Sequence, residues 1–475
     1  MTLENNRKRW LALIVLCLGE LMIVLDTTIV GVALPSIRED LRFTEASLVW
    51  VVNAYMLTYG GFLLLGGRLG DLYGQRRLFV GGVLFFTAAS LVCGLANSQW
   101  LLVGARFAQG LGGAVVSSIA LSLIMNLFQE PAERAKAMGI YGFVCAAGGS
   151  IGVLVGGLLT SGLSWHWIFL VNLPIGAGIC ACCVALLPDD RPRSTGQRLD
   201  VAGAIVITLS LMLAIYGIVN GNEAGWTSPR TLAFIGGGAA LFALFIAIEA
   251  FTKAPLMPLG LFRFRNLSSA SLIGALWSAG MFAWFFVSAL YMQLVLGYSP
   301  MQVGLAFLPA NLIMAAFSLG LSAKMVMRFG NRAPLAVGLA LAAVGLGLFA
   351  FSPIDGSFWL HVLPAMTILG IGCGMALNPI LLVAMNEVAP SDSGLASGVV
   401  NTAFMMGGSL GLAVLASISA ARTEGLTAVG AALPAALTGG YQLAFLVGAI
   451  FTGVGALLSA VLLRSERLAP SYKGA

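Results

Sequence analysis

Charge is what this sequence lacks most. Asp, Glu, Lys and Arg make up only 9% of its 475 residues, against roughly a quarter in a soluble domain. With 59% of the chain hydrophobic, too little polar surface remains to face water, which excludes a soluble globular protein and leaves lipid as the solvent. Histidine is almost absent, with two residues, His166 and His361, and no C-x-x-C pair accompanies spaced histidines among the seven cysteines. Neither a zinc site nor a disulfide framework is therefore indicated, and no metal is expected. No G-x-x-x-x-G-K-[ST] loop is present to cradle nucleotide phosphates, so the chain does not power itself with ATP. A nucleophile–base constellation is missing as well, and enzymatic activity is not expected.

Long hydrophobic runs fill the sequence instead. A bilayer-spanning helix needs about 20 mostly apolar residues. Such runs occupy 10–34, 47–66, 78–96, 100–127, 136–161, 166–187, 201–219, 231–251, 267–294, 303–326, 333–352, 359–384, 394–420 and 439–463, which predicts fourteen spans. The first follows Arg7, Lys8 and Arg9 as a secretory signal would. It is too long for a signal's apolar core, contains Asp26 and lacks a small-residue cleavage site, so it is read as a span. Basic residues test the count, because cytoplasmic loops concentrate Lys and Arg. With the N-terminus inside, twenty of the 25 basic residues fall on the cytoplasmic side; Arg38, Arg42, Arg230 and Arg422 lie outside and Arg106 lies within a span. An even number of spans with both ends cytoplasmic follows, and the net charge of +6 needs no nucleic-acid partner.

The chain repeats itself. Ala137–Gly152 reads AMGIYGFVCAAGGSIG and Ala396–Gly411 reads ASGVVNTAFMMGGSLG, 259 residues later. Gly74-Gln75-Arg76 and Gly330-Asn331-Arg332 match at an offset of 256. Close packing through small residues explains glycines, but not their recurrence at a nearly constant offset. Spans 1–6 and 9–14 therefore form two copies of a six-helix unit: an N-terminal bundle over 1–187, a linker with two inserted helices over 188–266, and a C-terminal bundle with a short tail over 267–475. Parallel six-helix repeats with a binding site between them are a transporter architecture.

At this point the sequence resembles the major facilitator superfamily and, within it, the fourteen-span drug:proton antiporters. GGRLGDLYGQRR (Gly66–Arg77) looks like the superfamily's signature loop, and LDTTIVGVALP (Leu25–Pro35) resembles the first-helix motif of the fourteen-span group. RFAQGLGGA (Arg106–Ala114) is similar to the R-x-x-Q-G motif of the fourth helix, and LSWHWIFLVNLPIG (Leu163–Gly176) to the stretch entering the sixth. Of the fifth-helix antiporter motif, Gly148, Gly152, Gly156 and Gly157 are in place, but Val153 stands where that motif has proline. The resemblance implies an all-α polytopic fold of two six-helix bundles that rock about a central cavity. It also implies export of small lipophilic substrates driven by a proton gradient rather than a bound cofactor, from the cytoplasmic membrane of a bacterium. A monomer is expected. The loop bearing Gly67, Asp71, Gly74, Arg76 and Arg77 would clamp the cytoplasmic side, with Arg134 as a partner for Asp71.

Ionisable groups inside a membrane are costly, so each is a functional candidate. They are few: Glu20, Asp26 and Arg106. Asp26 lies about 12 Å below the outer end of its helix and Arg106 about 9 Å below the same surface, at 1.5 Å per residue. At this shared depth the two can pair. Burial favours a neutral carboxyl and a nearby guanidinium favours a charged one, so a movement that changes either influence couples proton binding to conformation. A static pair that positions two helices is the alternative reading. Glu20 would attract a cationic substrate or carry a second proton, or else stay protonated against a neighbouring helix. Candidates for the substrate wall are Asn53, Tyr55, Trp277, Trp284, Tyr291, Gln293, Asn311, Asn378, Asn401, Met405 and Met406, since aromatic and thioether groups suit bulky lipophilic cargo. A dedicated exporter of one metabolite, antibiotic or lipid is a second expectation, and a non-transporting sensor or scaffold a third that would leave the intramembrane charges idle.

Overall fold

The computed structural model describes residues 3–128, 130–186, 200–252, 255–385 and 393–463, and among these it is built of helices alone. A membrane requires this, because lipid cannot satisfy an unpaired backbone group and each helix bonds its own. In chain order the helices are α1 (Leu3–Leu41), α2 (Glu45–Tyr73), α3 (Gln75–Gly94), α4 (Gln99–Leu127), α5 (Pro131–Gly162), α6 (Trp167–Leu170), α7 (Asn172–Leu186) and α8 (Val201–Ala224). They continue with α9 (Pro229–Phe251), α10 (Arg265–Leu290), α11 (Pro300–Ala316), α12 (Ser322–Phe329), α13 (Arg332–Ala350), α14 (Leu363–Met385), α15 (Ser393–Ala428) and α16 (Leu433–Leu462). Side chains start several of them: Thr44 and Ser47 form a capping box on α2, Ser299 and Gln302 another on α11. Such caps satisfy amide groups that a helix leaves open at its N-terminus.

Twelve of the helices are long and apolar enough to cross a bilayer, and two shorter apolar helices, Trp167–Cys183 and Pro300–Ala316, stand where the sixth and tenth spans were expected. The expected fourteen long spans are thus twelve among the described residues. In the sixth, the helix breaks at Val171 between α6 and α7. In the tenth, a π turn over Phe317–Leu321, with Gly320 at φ 130°, separates α11 from α12. The boundary expected at residue 187 lies outside the described residues.

The internal repeat is visible in the packing. On α5, Gly148 meets Leu21 and Val24 of α1, Gly152 meets Leu25, and Gly156 meets Ile29. On α15, Gly407 meets Ala275 of α10 and Gly411 meets Ala279. Matching glycines therefore bring matching helix pairs into backbone contact. The two halves also turn alike: Gly74 (φ 94°) joins α2 to α3, and Gly330 (φ 74°) joins α12 to α13. A positive φ costs a residue with a Cβ more than it costs glycine.

The halves meet along α2–α15 and α5–α11. Gly157 lies against Pro300 and Met301, and Gly304 against the Val153 carbonyl. The inserted pair α8–α9 rests on the α2–α15 seam. Asn222 of α8 donates to the carbonyl oxygen (2.8 Å) and hydroxyl (3.1 Å) of Ser417 on α15. Toward its other end, α8 presents Thr208 to Gly61 of α2.

Candidate functional site

Asp26 of α1 and Arg106 of α4 are both buried, at 0% and 1% exposure. Arg106 Nη1 donates to Asp26 Oδ2 at 2.5 Å, so the pairing expected from depth alone is present. The pair belongs to a larger network. Asp26 Oδ1 accepts from Gln109 Nε2 at 2.6 Å and from Asn172 Nδ2 at 3.2 Å. Arg106 Nη1 also donates to Gln109 Oε1 at 2.7 Å, and its Nε to the Val51 carbonyl at 2.9 Å. Ser90 of α3 accepts from Gln109 (2.8 Å) and Asn172 (3.4 Å). The Tyr55 ring lies 4.4 Å and the Phe169 ring 5.6 Å from the guanidinium carbon.

This arrangement answers the cost of burying two charges. An isolated ion in an apolar interior loses several kcal/mol of hydration, which the partner alone repays only when the remaining lone pairs and protons are also bonded. Here α1, α2, α3, α4 and α7 each supply a group. Gln109 shares one face of α4 with Arg106, three residues on, as the R-x-x-Q spacing dictates. A change in the charge of Asp26 would therefore be felt by five helices at once.

Sequence reasoning passed over Gln109, Asn172 and Ser90. The first two stand inside the quoted RFAQGLGGA and VNLP stretches, and their polarity within apolar helices was the available signal. Ser90 carried none beyond being a hydroxyl in a hydrophobic run.

Glu20 is buried, with Ser117 of α4 and Tyr141 of α5 beside its carboxyl group. The expected loop over Gly67–Arg77 is a correction. α2 stays helical to Tyr73 and α3 begins at Gln75, so Gly67 and Asp71 lie within a helix and Gly74 alone makes the turn. Gln75 pins that turn to α4, donating to Ser122 (2.6 Å) and accepting from Asn126 (2.9 Å). Arg76 is half-buried and Arg77 exposed. The side chains of Asp71 and Arg134 lie outside the described residues.

Several residues expected to line a substrate wall make contacts between helices. Asn53 donates to the Ser409 carbonyl at 3.0 Å, and Gln293 to the Val32 carbonyl at 2.9 Å. Tyr291 donates to the Pro353 carbonyl at 2.7 Å. Trp277 stacks edge-on against Phe404 at 5.4 Å, and Trp284 lies 5.9 Å from Phe307. Both indoles and Asn311 are buried, while Asn378 and Asn401 are half-buried. Met405 packs on Gly60. Met406, with Gly61, Ile207 and Phe245, lines a small recess where the inserted pair meets the α2–α15 seam.

Known proteins share this plan. Residues 16–412 match the Major Facilitator Superfamily. The puromycin resistance protein of Streptomyces alboniger is 37% identical over 457 residues, covering 96% of this chain and 90% of its own. The cephamycin export protein of Amycolatopsis lactamdurans is 37% identical over 462 residues, covering 97% and 93%. A multidrug resistance protein of Mycobacterium tuberculosis is 36% identical over 418 residues, covering 88% and 77%. Among solved structures, a bacterial homologue of the human lysosomal transporter Spinster, inward-facing and unoccupied, aligns with a TM-score of 0.64 at 18% identity over 96% of this chain and 97% of its own. An autoinhibited peptide transporter of the POT family aligns with 0.67 at 16% over 99% of both. By the match along most of its length and by these relatives, the chain belongs to the Major Facilitator Superfamily.

Proposed function

We propose that the protein exports lipophilic, antibiotic-like compounds across the cytoplasmic membrane of a bacterium, as a monomer, in exchange for protons. The observation that carries this reading is the buried Asp26–Arg106 pair, the centre of a network drawn from five helices. In the proposed cycle Asp26 takes a proton from the outer side, which removes the charge that holds Arg106. The network rearranges, the bundles rock, and Asp26 releases the proton inward while cargo leaves outward. The energy comes from the proton gradient, with no bound cofactor. Relatives named for puromycin resistance and cephamycin export support antibiotic-like cargo.

Fourteen crossings are part of this reading. α6 with α7 covers 167–186, and α11 with its π turn and α12 covers 300–329; at about 1.5 Å per residue each combined segment reaches across a bilayer of about 30 Å. Both termini then lie in the cytoplasm. The second reading, a dedicated exporter of one compound, is favoured by relatives whose names give a single compound rather than many. Efflux of puromycin and of ethidium from expressing cells, with and without a protonophore, tests both readings. Proton-driven efflux of the two unrelated compounds supports the broad reading, and efflux of one alone supports the dedicated one. Efflux untouched by the protonophore contradicts proton coupling.

A further inference from the structure

The loop between α13 and α14 is fixed at several points to its surroundings. The Ser352 carbonyl accepts from Gln442 Nε2 of α16 at 2.9 Å, and the Pro353 carbonyl from Tyr291 Oη at 2.7 Å. Gly356 lets the loop close on that hydroxyl, since a Cβ there would collide with it. The loop ends at Ser357, just before a π turn over Phe358–Val362. There the Ser357 amide donates to His361 Nδ1 at 3.0 Å, and the His361 amide donates back to the Ser357 carbonyl at 2.9 Å. Tyr291 opens a second π turn, Tyr291–Val295, which carries Gln293 and its bond to Val32 of α1. Six residues beyond Val295, the Met301 amide donates to Ser161 Oγ of α5 at 3.1 Å, another bond between the halves. A continuous line of contacts thus runs from His361, through the loop and Tyr291, to the place where the halves meet. Turns of the π type recur at functional sites, and two of them hold this loop.

The weak point of this line is the histidine. A neutral imidazole accepts at one nitrogen, whereas the imidazolium carries hydrogen on both and only donates. Protonation of His361 therefore removes the acceptor and sets one N–H against another. Histidine is the side chain whose charge ordinarily changes between about pH 5 and 8, and half-burial leaves this ring open to protons. We infer that His361 is a pH-sensitive latch: neutral, it holds the α13–α14 loop and, through Tyr291, the contacts of Gln293 and Met301 with the other half; protonated, it releases them. With the N-terminus in the cytoplasm, as proposed above, this end faces outward, the side from which protons are drawn. Acid outside would then favour opening on that side.

The sign follows from proton binding. The latched form holds one proton fewer at His361, so closure is favoured as pH rises and opposed as it falls. Other titratable groups around the loop are Asp355 within it, Tyr291 and Tyr298 in and after the turn that follows α10, and Tyr441 of α16 beside Gln442. α14 and α16 contain no charged residue, and the one on α13, Arg332, lies at its opposite end. Among the described residues His361 forms no ion pair, so its amide partner is what its protonation disturbs.

The test is backbone hydrogen exchange of the full chain in detergent micelles at about pH 7.5 and about pH 5.5, on either side of the histidine range. Both faces then meet one pH and no transport is measured, so failure of the exporter reading leaves the result untouched. Each rate is divided by that of an unstructured chain at the same pH. One net hydrogen bond shifts an equilibrium about fivefold. Wild-type protection over 357–362 and over 291–303 is therefore expected to fall about fivefold at the lower pH. His361→Asn puts an amide oxygen where Nδ1 stands and should stay protected at both pH values. His361→Leu has no acceptor and should be loose at both. Tyr291→Phe should keep the fall over 357–362 and abolish it over 291–303. If His361→Leu does not fold, the other two variants carry the comparison. A fall that His361→Asn shares, a fall confined to 357–362 in the wild type, or no fall at all overturns the latch.

Discussion

The side-chain amide of Asn53 donates to the backbone oxygen of Ser409, 3.0 Å away and 356 residues along the chain, tying α2 to α15 across the two halves. Gln293, in the π turn Tyr291–Val295 that follows α10, does the same with the Val32 carbonyl of α1. A net hydrogen bond of this kind is worth about 1 kcal/mol, or roughly a fivefold change in an equilibrium constant. Asn53→Ala and Gln293→Ala should each shift the balance between closed and open seams about that far. Distance distributions between spin labels on α2 and α15 would read this shift as a larger separated population. Unchanged distributions would mean that these contacts are incidental to the seam.

Breaking a buried ion pair by removing one partner costs about 3–5 kcal/mol, because the other charge stays buried. Arg106→Ala should therefore lower the unfolding midpoint markedly in detergent. Arg106→Lys should also be poorly tolerated, since one ammonium cannot reproduce the bonds to Asp26, Gln109 and the Val51 carbonyl together. Near wild-type thermal stability for both variants would show that the pair is not structurally integrated.

The glycine contacts are the same device used twice. A Cβ at Gly156 would lie 2.8 Å from the Ile29 carbonyl oxygen, and one at Gly411 would lie 2.5 Å from the Ala279 Cα. Alanine at either position should reduce the yield of folded protein, since backbone cannot move aside as a flexible side chain can. Gly149→Ala, on the same helix as Gly156 with nothing within 4 Å, is the control and should express normally. Size-exclusion profiles of the three variants make the comparison.

Much of this was legible in the sequence, and the reasons for the rest are specific. Length and apolarity located the helices because a bilayer imposes both. The interruption of the tenth span depends on the backbone angle at Gly320, which composition does not specify. Asp26 and Arg106 stood out because charge in an apolar helix is rare, whereas Gln109, Asn172 and Ser90 are neutral and equally compatible with packing. The substrate wall was hardest. α10 is apolar around most of its circumference, so no periodic face separates a wall residue from one such as Trp277, which packs on Phe404. Within the signature loop Gly74 makes the turn at φ 94° and Gly67 lies inside α2, a difference in backbone angle that two glycines in a sequence do not reveal.

Left-handed backbone at the two matching turns makes a further paired prediction. Gly74→Ala and Gly330→Ala each place a Cβ at positive φ, costing about 1–2 kcal/mol. Both should lower thermal stability by similar amounts, and together nearly additively, because they lie in different halves. A strongly unequal pair of effects would argue that the repeat in sequence is not a repeat in energetics.

The central claim is that one buried carboxyl group couples proton movement to cargo movement. Its most direct test is uphill puromycin transport in proteoliposomes under an imposed pH gradient, comparing the wild type with Asp26→Asn, which keeps the shape of the side chain and much of its hydrogen bonding. The account predicts accumulation against a gradient by the wild type and only downhill equilibration by the variant. Undiminished uphill transport by Asp26→Asn would contradict it.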